Sequence, residues 1–217
     1  MNILEKKQMH RLTCLFAILM MALSVHAKDH EKYWNRFINV GYSSMSIEQG
    51  QLPKLSSDIG ASFSVGTTYH LHKKPIANCM YIGLDATWID LNYTNFKPKG
   101  GDQIHKAGIG MQLGPSITFT PVKRLNLRAY FRYAPTFSAS YSESGGDFEF
   151  DDVNCAYASM FVTGGAISYG FIGVGFEARF GSAKHEPILR NEYSKYDSSD
   201  KINTDFSGFR AYLSFRF

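Results

Sequence analysis

The feature that most constrains the fold of this chain is an alternation of apolar with small or polar residues along most of its length. Between residues 106 and 119, seven apolar positions alternate with seven small or polar ones; the apolar set is Ala107, Ile109, Met111, Leu113, Pro115, Ile117 and Phe119. A period of two places successive side chains on opposite faces of a β-strand, whereas an amphipathic helix needs apolar spacings of three and four. The alternation therefore predicts a strand.

The same alternation recurs in eight segments, each of which predicts a strand. They lie near residues 36–46, 57–71, 80–93, 106–119, 125–133, 156–169, 172–181 and 208–217. The sixth has the weakest pattern, because apolar and polar residues are mixed on both faces. Links after even-numbered segments are short, whereas those after odd-numbered segments are longer and more polar. Because this layout is typical of membrane barrels, we predict an all-β fold, an eight-stranded antiparallel up-and-down transmembrane β-barrel.

The N-terminal residues 1–27 predict a cleaved secretory signal peptide. Three basic residues among the first eleven precede 14 uncharged, mostly apolar residues at 12–25, and a small residue, Ala27, ends the segment. A basic start, a short apolar core and a small-residue end are the features of such a peptide. As a helix the core would span only about 21 Å, too short for the roughly 30 Å interior of a bilayer. We expect cleavage after Ala27 and a barrel domain over residues 28–217.

Alternation alone does not say which face of the barrel points outward. In a soluble ligand-binding barrel the apolar face would line a cavity and the polar face would meet water. Here the second face is dominated by Gly, Ser and Thr and lacks the many Lys and Glu residues of a solvated surface. An eight-stranded barrel is only wide enough for side chains to fill, so small residues and paired charges suit its interior. We therefore predict that the apolar face meets the lipid of a membrane.

Strand length and aromatic positions favour the same interpretation. The segment from Tyr81 to Tyr93 would rise about 30 Å at ~3.3 Å per residue and ~40° tilt, enough to cross a membrane. Tyrosine and tryptophan mark membrane interfaces, and we expect a girdle near the strand ends formed by Tyr33, Trp34, Tyr69, Tyr81, Trp88, Tyr93, Tyr133 and Tyr157.

The C-terminal segment carries a recognisable pattern, in which Phe209, Ala211, Leu213, Phe215 and Phe217 alternate with other residues and the sequence ends on phenylalanine. It resembles the assembly signal of Gram-negative outer-membrane β-barrels, and the mature chain is similar to the small OmpA/OmpX-type barrels. The resemblance implies that Phe209, Leu213, Phe215 and Phe217 engage the barrel-assembly machinery, and that outer-membrane lipid and lipopolysaccharide are partners. Members include structural proteins, adhesins, narrow channels and a few enzymes, so the resemblance implies a location rather than a task.

An apolar outward face directs eight charged side chains into the lumen. They are Asp85, Lys106, Arg128, Arg132, Glu177, Arg179, Arg210 and Arg216. Because an unpaired buried charge is very costly, we expect Glu177 to lie near Arg210 and Asp85 near a basic partner on a neighbouring strand. Basic groups outnumber acidic ones six to two, so waters and hydroxyl groups must assist. We predict a lumen plugged by ion pairs, with a thin anion-favouring path as the alternative.

Three other groups could carry chemistry. His70 and His72 share a strand face but have no evident third metal ligand, and an acidic stretch could bind Ca²⁺ or Mg²⁺ but is more simply a solvated loop. That stretch contains Asp147, Glu149, Asp151 and Asp152. Cys79 and Cys155 are predicted on the order of 25 Å apart, beyond the ~7 Å limit for a disulfide, and hence free. No set of nucleophile, base and acid stands out. We predict no catalytic, metal or cofactor site.

These expectations define the function only broadly. A net charge of +4 with 19% charged residues is too mild to indicate nucleic-acid binding. We expect a non-enzymatic barrel of the outer membrane with a filled lumen and four outer loops, which serves envelope structure or surface interaction through an unknown loop partner. A narrow porin-like channel or transporter is the main alternative. A lipid-modifying barrel enzyme and a soluble secreted ligand-binding barrel are the others.

Overall fold

The computed structural model describes residues 35–49, 54–98, 103–143, 153–185 and 202–217. They form eight strands: β1 (Arg36–Gln49), β2 (Leu55–His70), β3 (Met80–Phe96), β4 (Gln103–Val122), β5 (Leu125–Glu143), β6 (Val153–Tyr169), β7 (Ile172–His185) and β8 (Ile202–Arg216). Every strand pairs antiparallel with its neighbour in sequence, and β8 pairs with β1 to close the barrel. The predicted fold class is confirmed.

Some sequence predictions fall elsewhere in the chain. The signal peptide over residues 1–27, its cleavage after Ala27, and the acidic residues Asp147, Glu149, Asp151 and Asp152 lie outside the described residues. Within the ranges that the structure covers, no helix is long and apolar enough to cross a membrane.

The links at one end of the barrel are of two kinds: two are only two residues long, and the third, residues 71–79 between β2 and β3, is longer. At what we call the turn end, residues 123–124 join β4 to β5 and residues 170–171 join β6 to β7. Arg124 and Gly170 have positive φ angles of 71° and 59°, the left-handed conformation that a two-residue hairpin link requires. The opposite end, the loop end, carries the links that follow β1, β3, β5 and β7.

The two faces of the strands separate by chemistry, with the apolar face outside. Met111, Phe176 and Leu213 are 51%, 53% and 49% exposed, whereas Arg128 and Arg179 are 7% and 3% exposed. The outer aromatic side chains also contact one another across strands: the Phe131, Phe161 and Phe180 rings form a stacked row over β5, β6 and β7. The outer face of the strands is therefore apolar, and the charged groups of the opposite face are enclosed.

The predicted aromatic girdle is only partly correct, and two of its members, Tyr33 and Trp34, lie outside the described residues. Tyr69 and Tyr93 are exposed near strand ends, but Tyr81 is buried and points into the lumen. Trp88 and Tyr133 are exposed near the middle of β3 and β5 rather than at their ends. Tyr133 is central because β5 continues to Glu143, well beyond the predicted segment of 125–133, whereas Trp88 is central even within the predicted segment of 80–93.

A one-residue β-bulge in β3 changes which side chains enter the lumen. Thr87 and Asp90 are three residues apart in β3, but their partners on β4 are only two residues apart. Trp88 and Ile89, which lie between them, are both exposed on the outer surface. An extra residue of this kind reverses the facing of everything that follows it. As a result, Asp85 and Asp90 both point inward, although a regular strand would place them on opposite faces.

We predict that deletion of Trp88 leaves the barrel folded. Without the extra residue β3 becomes regular, and Asp85 and Asp90 still share the inner face. Deletion of Phe131 is the matched control, because this side chain is also outward, aromatic and central (46% exposed, against 47% for Trp88). That deletion forces Tyr130 and Arg132 onto opposite faces, and an arginine facing lipid near the midplane costs about 2–4 kcal/mol.

The measurement is the fraction of compact, heat-modifiable protein on unboiled gels after refolding into detergent. We expect a majority folded for the Trp88 deletion and little for the Phe131 deletion. Loss of folding in the Trp88 deletion, with normal folding of Trp88→Phe, would show that the bulge itself is required.

Candidate functional site in the barrel lumen

Asp90 of β3 is the centre of one ion cluster inside the lumen. Its Oδ2 atom accepts a hydrogen bond from Arg179 Nη2 of β7 at 2.8 Å, and its Oδ1 atom accepts one from Arg210 Nη1 of β8 at 2.5 Å. Arg210 also donates to Glu177 Oε1 at 3.2 Å, since Glu177 and Arg210 are directly paired residues of β7 and β8. Two carboxylates thus neutralise two guanidinium groups where all four side chains are buried.

Asp85 is the centre of a second cluster, nearer the turn end. Arg132 Nη2 lies 2.7 Å from its Oδ2 atom, and Arg128 Nη1 lies 3.7 Å from its Oδ1 atom. The Ser116 hydroxyl donates to Oδ1 at 3.0 Å, and Arg128 also donates to the hydroxyl oxygen of Thr68. Both basic partners belong to β5, which does not adjoin β3. The prediction of a partner on a neighbouring strand was therefore wrong, because long side chains reach across so narrow a lumen.

Tyrosine side chains join the two clusters. The Tyr130 hydroxyl donates to Glu177 Oε2 at 3.1 Å and shares a hydrogen bond of 2.8 Å with the Tyr212 hydroxyl. The Arg132 guanidinium lies 3.6 Å from the centre of the Tyr130 ring, within the range of a cation–π interaction. Ion pairs, hydroxyls and one aromatic face thus form a continuous network through the middle of the barrel.

Two of the buried cations lie outside these ion pairs. Among the described residues, no carboxylate lies within ion-pair distance of Lys106 or Arg216. The Lys106 ammonium instead lies 3.7 Å from the centre of the Phe206 ring, and the Arg216 guanidinium lies 5.5 Å from that of Phe37. Asp90 adds a third carboxylate to the two expected, so in this part of the chain six lumen cations face three carboxylates.

Sequence reasoning missed Asp90 and the side chains that fill the loop end. The bulge hid Asp90, because strict alternation assigns it to the outer face. Toward the loop end lies what we call the apolar layer, formed by the buried residues Met45, Ile47, Phe96, Ile104 and Phe206. The sequence did contain a signal for this layer: Ile104 lies two residues from Lys106, on the same face of β4, so a lumen-facing Lys106 implies a lumen-facing Ile104. Part of the mixed pattern of β6 has the same origin, because its Met160 and Val162 point inward and pack with this layer.

The other candidate groups have local roles or stand apart. His72 Nε2 lies 3.1 Å from the backbone nitrogen of Ile82 and accepts its N–H, while its Nδ1 lies 2.6 Å from the Lys74 carbonyl oxygen. Both ring nitrogens therefore hold the β2–β3 link rather than a metal. In the described ranges, no group of three metal-binding side chains occurs. Cys79 is buried and Cys155 exposed, and both are free thiols.

Comparison with known proteins identifies the fold but not a family. No protein-family model matches the sequence, and no curated protein matches it. Among solved structures, the chain is similar to Neisserial surface protein A (NspA), with a TM-score of 0.53 and 10% identity over 84% of this chain and 97% of that one. It is also similar to Ail, the attachment invasion locus protein of Yersinia pestis (TM-score 0.42, 9% identity, 85% and 100% covered).

A third similar structure is the outer membrane protease OmpT from Escherichia coli, with a TM-score of 0.41 and 8% identity over 88% of this chain and 100% of that one. At such low identity the likeness, carried by NspA, shows the fold alone. The chain is an eight-stranded antiparallel barrel whose structural neighbours are outer-membrane barrels of Gram-negative bacteria.

We predict that Asp90→Ala lowers the free energy of unfolding by about 3–5 kcal/mol, because it leaves buried guanidinium groups without their carboxylate. Asp58→Ala is the matched control. Asp58 also pairs with a cation, Lys97, at 3.8 Å, but both side chains are more than half exposed, so its loss should cost about 0–1 kcal/mol. Equilibrium urea unfolding in detergent micelles, followed by circular dichroism, measures both. Similar losses for the two variants would contradict a central role for Asp90.

Proposed function

We propose that this chain is an outer-membrane protein of the Gram-negative envelope, with a non-catalytic role in envelope structure or surface interaction. The outward face supports a membrane location. Large apolar side chains such as Ile109, Val174 and Ile167 are about half exposed all around the barrel. A soluble monomer rarely exposes so large a contiguous apolar surface, whereas a membrane barrel requires one.

The side chains that cross and fill the lumen are the observation that supports the proposed role. Arg132 and Arg210 cross the interior to carboxylates of β3, and the apolar layer fills the space nearer the loop end. A lumen of eight strands holds little more than its own side chains. With the interior filled, the surface left for interaction is the loop end, where the links after β1, β3, β5 and β7 connect the strands.

A narrow channel is the second candidate, and the excess of lumen cations favours it. Six cations against three carboxylates in the described part would select anions, if a continuous path existed. The apolar layer weighs against such a path, because an ion that crosses it must shed its hydration shell without compensating contacts.

The finer assignments belong to the same proposal. We propose membership of the small OmpA/OmpX-type barrels, export by the signal peptide of residues 1–27, and contacts with outer-membrane lipid and lipopolysaccharide. The C-terminal strand would engage the barrel-assembly machinery through side chains that face outward on β8 and at its end. These are Phe209, Leu213, Phe215 and Phe217.

For a closed lumen, we predict no conductance above background in planar bilayers. The test uses protein purified from the outer-membrane fraction, with heat-modifiable migration on unboiled gels to verify folding. Stepwise conductance with anion selectivity would overturn the closed-lumen role in favour of the channel. Recovery of the mature protein in a soluble fraction would contradict the membrane location itself.

For the assembly signal, we predict that Phe217→Ala reduces the amount of folded barrel in the outer membrane several-fold. Phe171→Ala is the matched control, because this phenylalanine is also at the turn end and equally exposed (60%, against 56% for Phe217). Both variants should refold equally well in detergent, where no assembly machinery acts. Equal losses of both in cells would show that Phe217 contributes only apolar surface.

A further inference from the structure

Lys106 lies in an unusual position for a lysine. It points into the lumen from β4, is only 6% exposed, and has the Phe206 ring as its cation–π partner at 3.7 Å. In the described part of the chain it makes no ion pair. Burial of an ammonium group without a counter-charge is very costly, and one cation–π contact of about 2 kcal/mol does not offset that cost. A counter-ion beside the ammonium group would offset that cost.

A cavity of about 20 Å³ adjoins this lysine. Its walls come from seven of the eight strands and include Met45, Asn92, Met160, Arg179 and Phe206. The volume exceeds the roughly 10–15 Å³ that one water requires. It is far too small for a phosphate, a sulfate or an organic ligand. A halide ion, which is only slightly larger than water, fits.

The surrounding atoms present donors to this cavity. Arg179 lines the cavity and pairs with Asp90 through Nη2, and its buried Nε–H has no hydrogen-bond acceptor. Lys106, which lines the same cavity, carries three N–H donors on its ammonium group. The described carboxylates of the lumen are already engaged by Arg128, Arg132, Arg179 and Arg210. An occupant of the cavity is therefore offered hydrogen-bond donors and positive charge.

We propose that the cavity binds a single halide-sized monovalent anion, such as chloride, between Lys106 and Arg179. The anion accepts hydrogen bonds from the Lys106 ammonium and the Arg179 Nε–H, and it offsets one of the excess lumen cations. A water molecule is the competing occupant, because it could accept from Lys106 and donate to the unpartnered Oδ1 atom of Asn92. A bound anion would offset one positive charge of the lumen, whereas a water molecule would leave the excess positive charge unchanged. Dependence on the anion in solution therefore distinguishes the two occupants. The inference concerns the lumen alone and does not depend on the proposed surface role.

The first test is the halide dependence of thermal stability, measured on the folded protein in a neutral detergent. Chloride replaces gluconate at constant ionic strength, so that general screening stays unchanged. A ligand that binds only the folded state raises the midpoint by about 3–6 °C for each tenfold increase above its dissociation constant. Lys106→Met should abolish this dependence, whereas Lys54→Met, at an exposed lysine of the loop end, should retain it.

The second test locates the ion and does not require a variant that folds. Crystals of the wild-type protein grown with bromide in place of chloride should show an anomalous peak within hydrogen-bond distance of Lys106 Nζ. A bromide peak there, together with a halide-dependent midpoint, supports the proposal. Density without an anomalous signal, or equal midpoints in chloride and gluconate, overturns it in favour of water. Halide dependence that persists in Lys106→Met also overturns it, because the ion then acts elsewhere.

Discussion

The barrel depends on ion pairs that cross its lumen. Asp85 and Asp90 lie on β3, while their basic partners lie on β5, β7 and β8. These ion pairs therefore connect strands that are not joined by backbone hydrogen bonds. Inside a membrane barrel the hydrophobic effect acts on the outer surface, where lipid replaces water, and cannot by itself order the interior. Paired charges and shared hydroxyl hydrogen bonds do so instead, because loss of one of these pairs leaves a buried charge without its carboxylate or cation.

Two groups of side chains fill the lumen, the ion clusters and the apolar layer, and they lie at different depths along the barrel axis. The middle holds the ion clusters, and the apolar layer of Met45, Ile47, Phe96, Ile104 and Phe206 lies nearer the loop end. Lys106 and Arg179 lie where the two meet, beside the cavity. A lumen filled in this way supports the proposed structural or surface role better than transport.

Much of the fold was predictable from the sequence, and the failures have specific physical causes. Strand number, antiparallel order and the outward apolar face follow from local alternation, which needs only the two-residue period of a strand. Asp90 was missing from the predicted lumen charges because a bulge at Trp88 and Ile89 breaks that period. The partner of Asp85 was sought on an adjacent strand, although Arg132 reaches it across the lumen from β5. The apolar layer was missed because its residues lie near strand ends.

The amino-acid sequence by itself determined that this chain forms paired strands and that its apolar side chains face away from its charged ones. The side of the strand on which a side chain lies is a local property of the backbone, so the alternation within a single segment is enough to predict it. Only the tertiary structure decided which charges meet, where the bulge lies, and that Lys106 is enclosed beside a cavity. Those features depend on barrel closure, on the register between distant strands and on the width of the lumen, because side chains far apart in sequence become neighbours only when the sheet closes on itself.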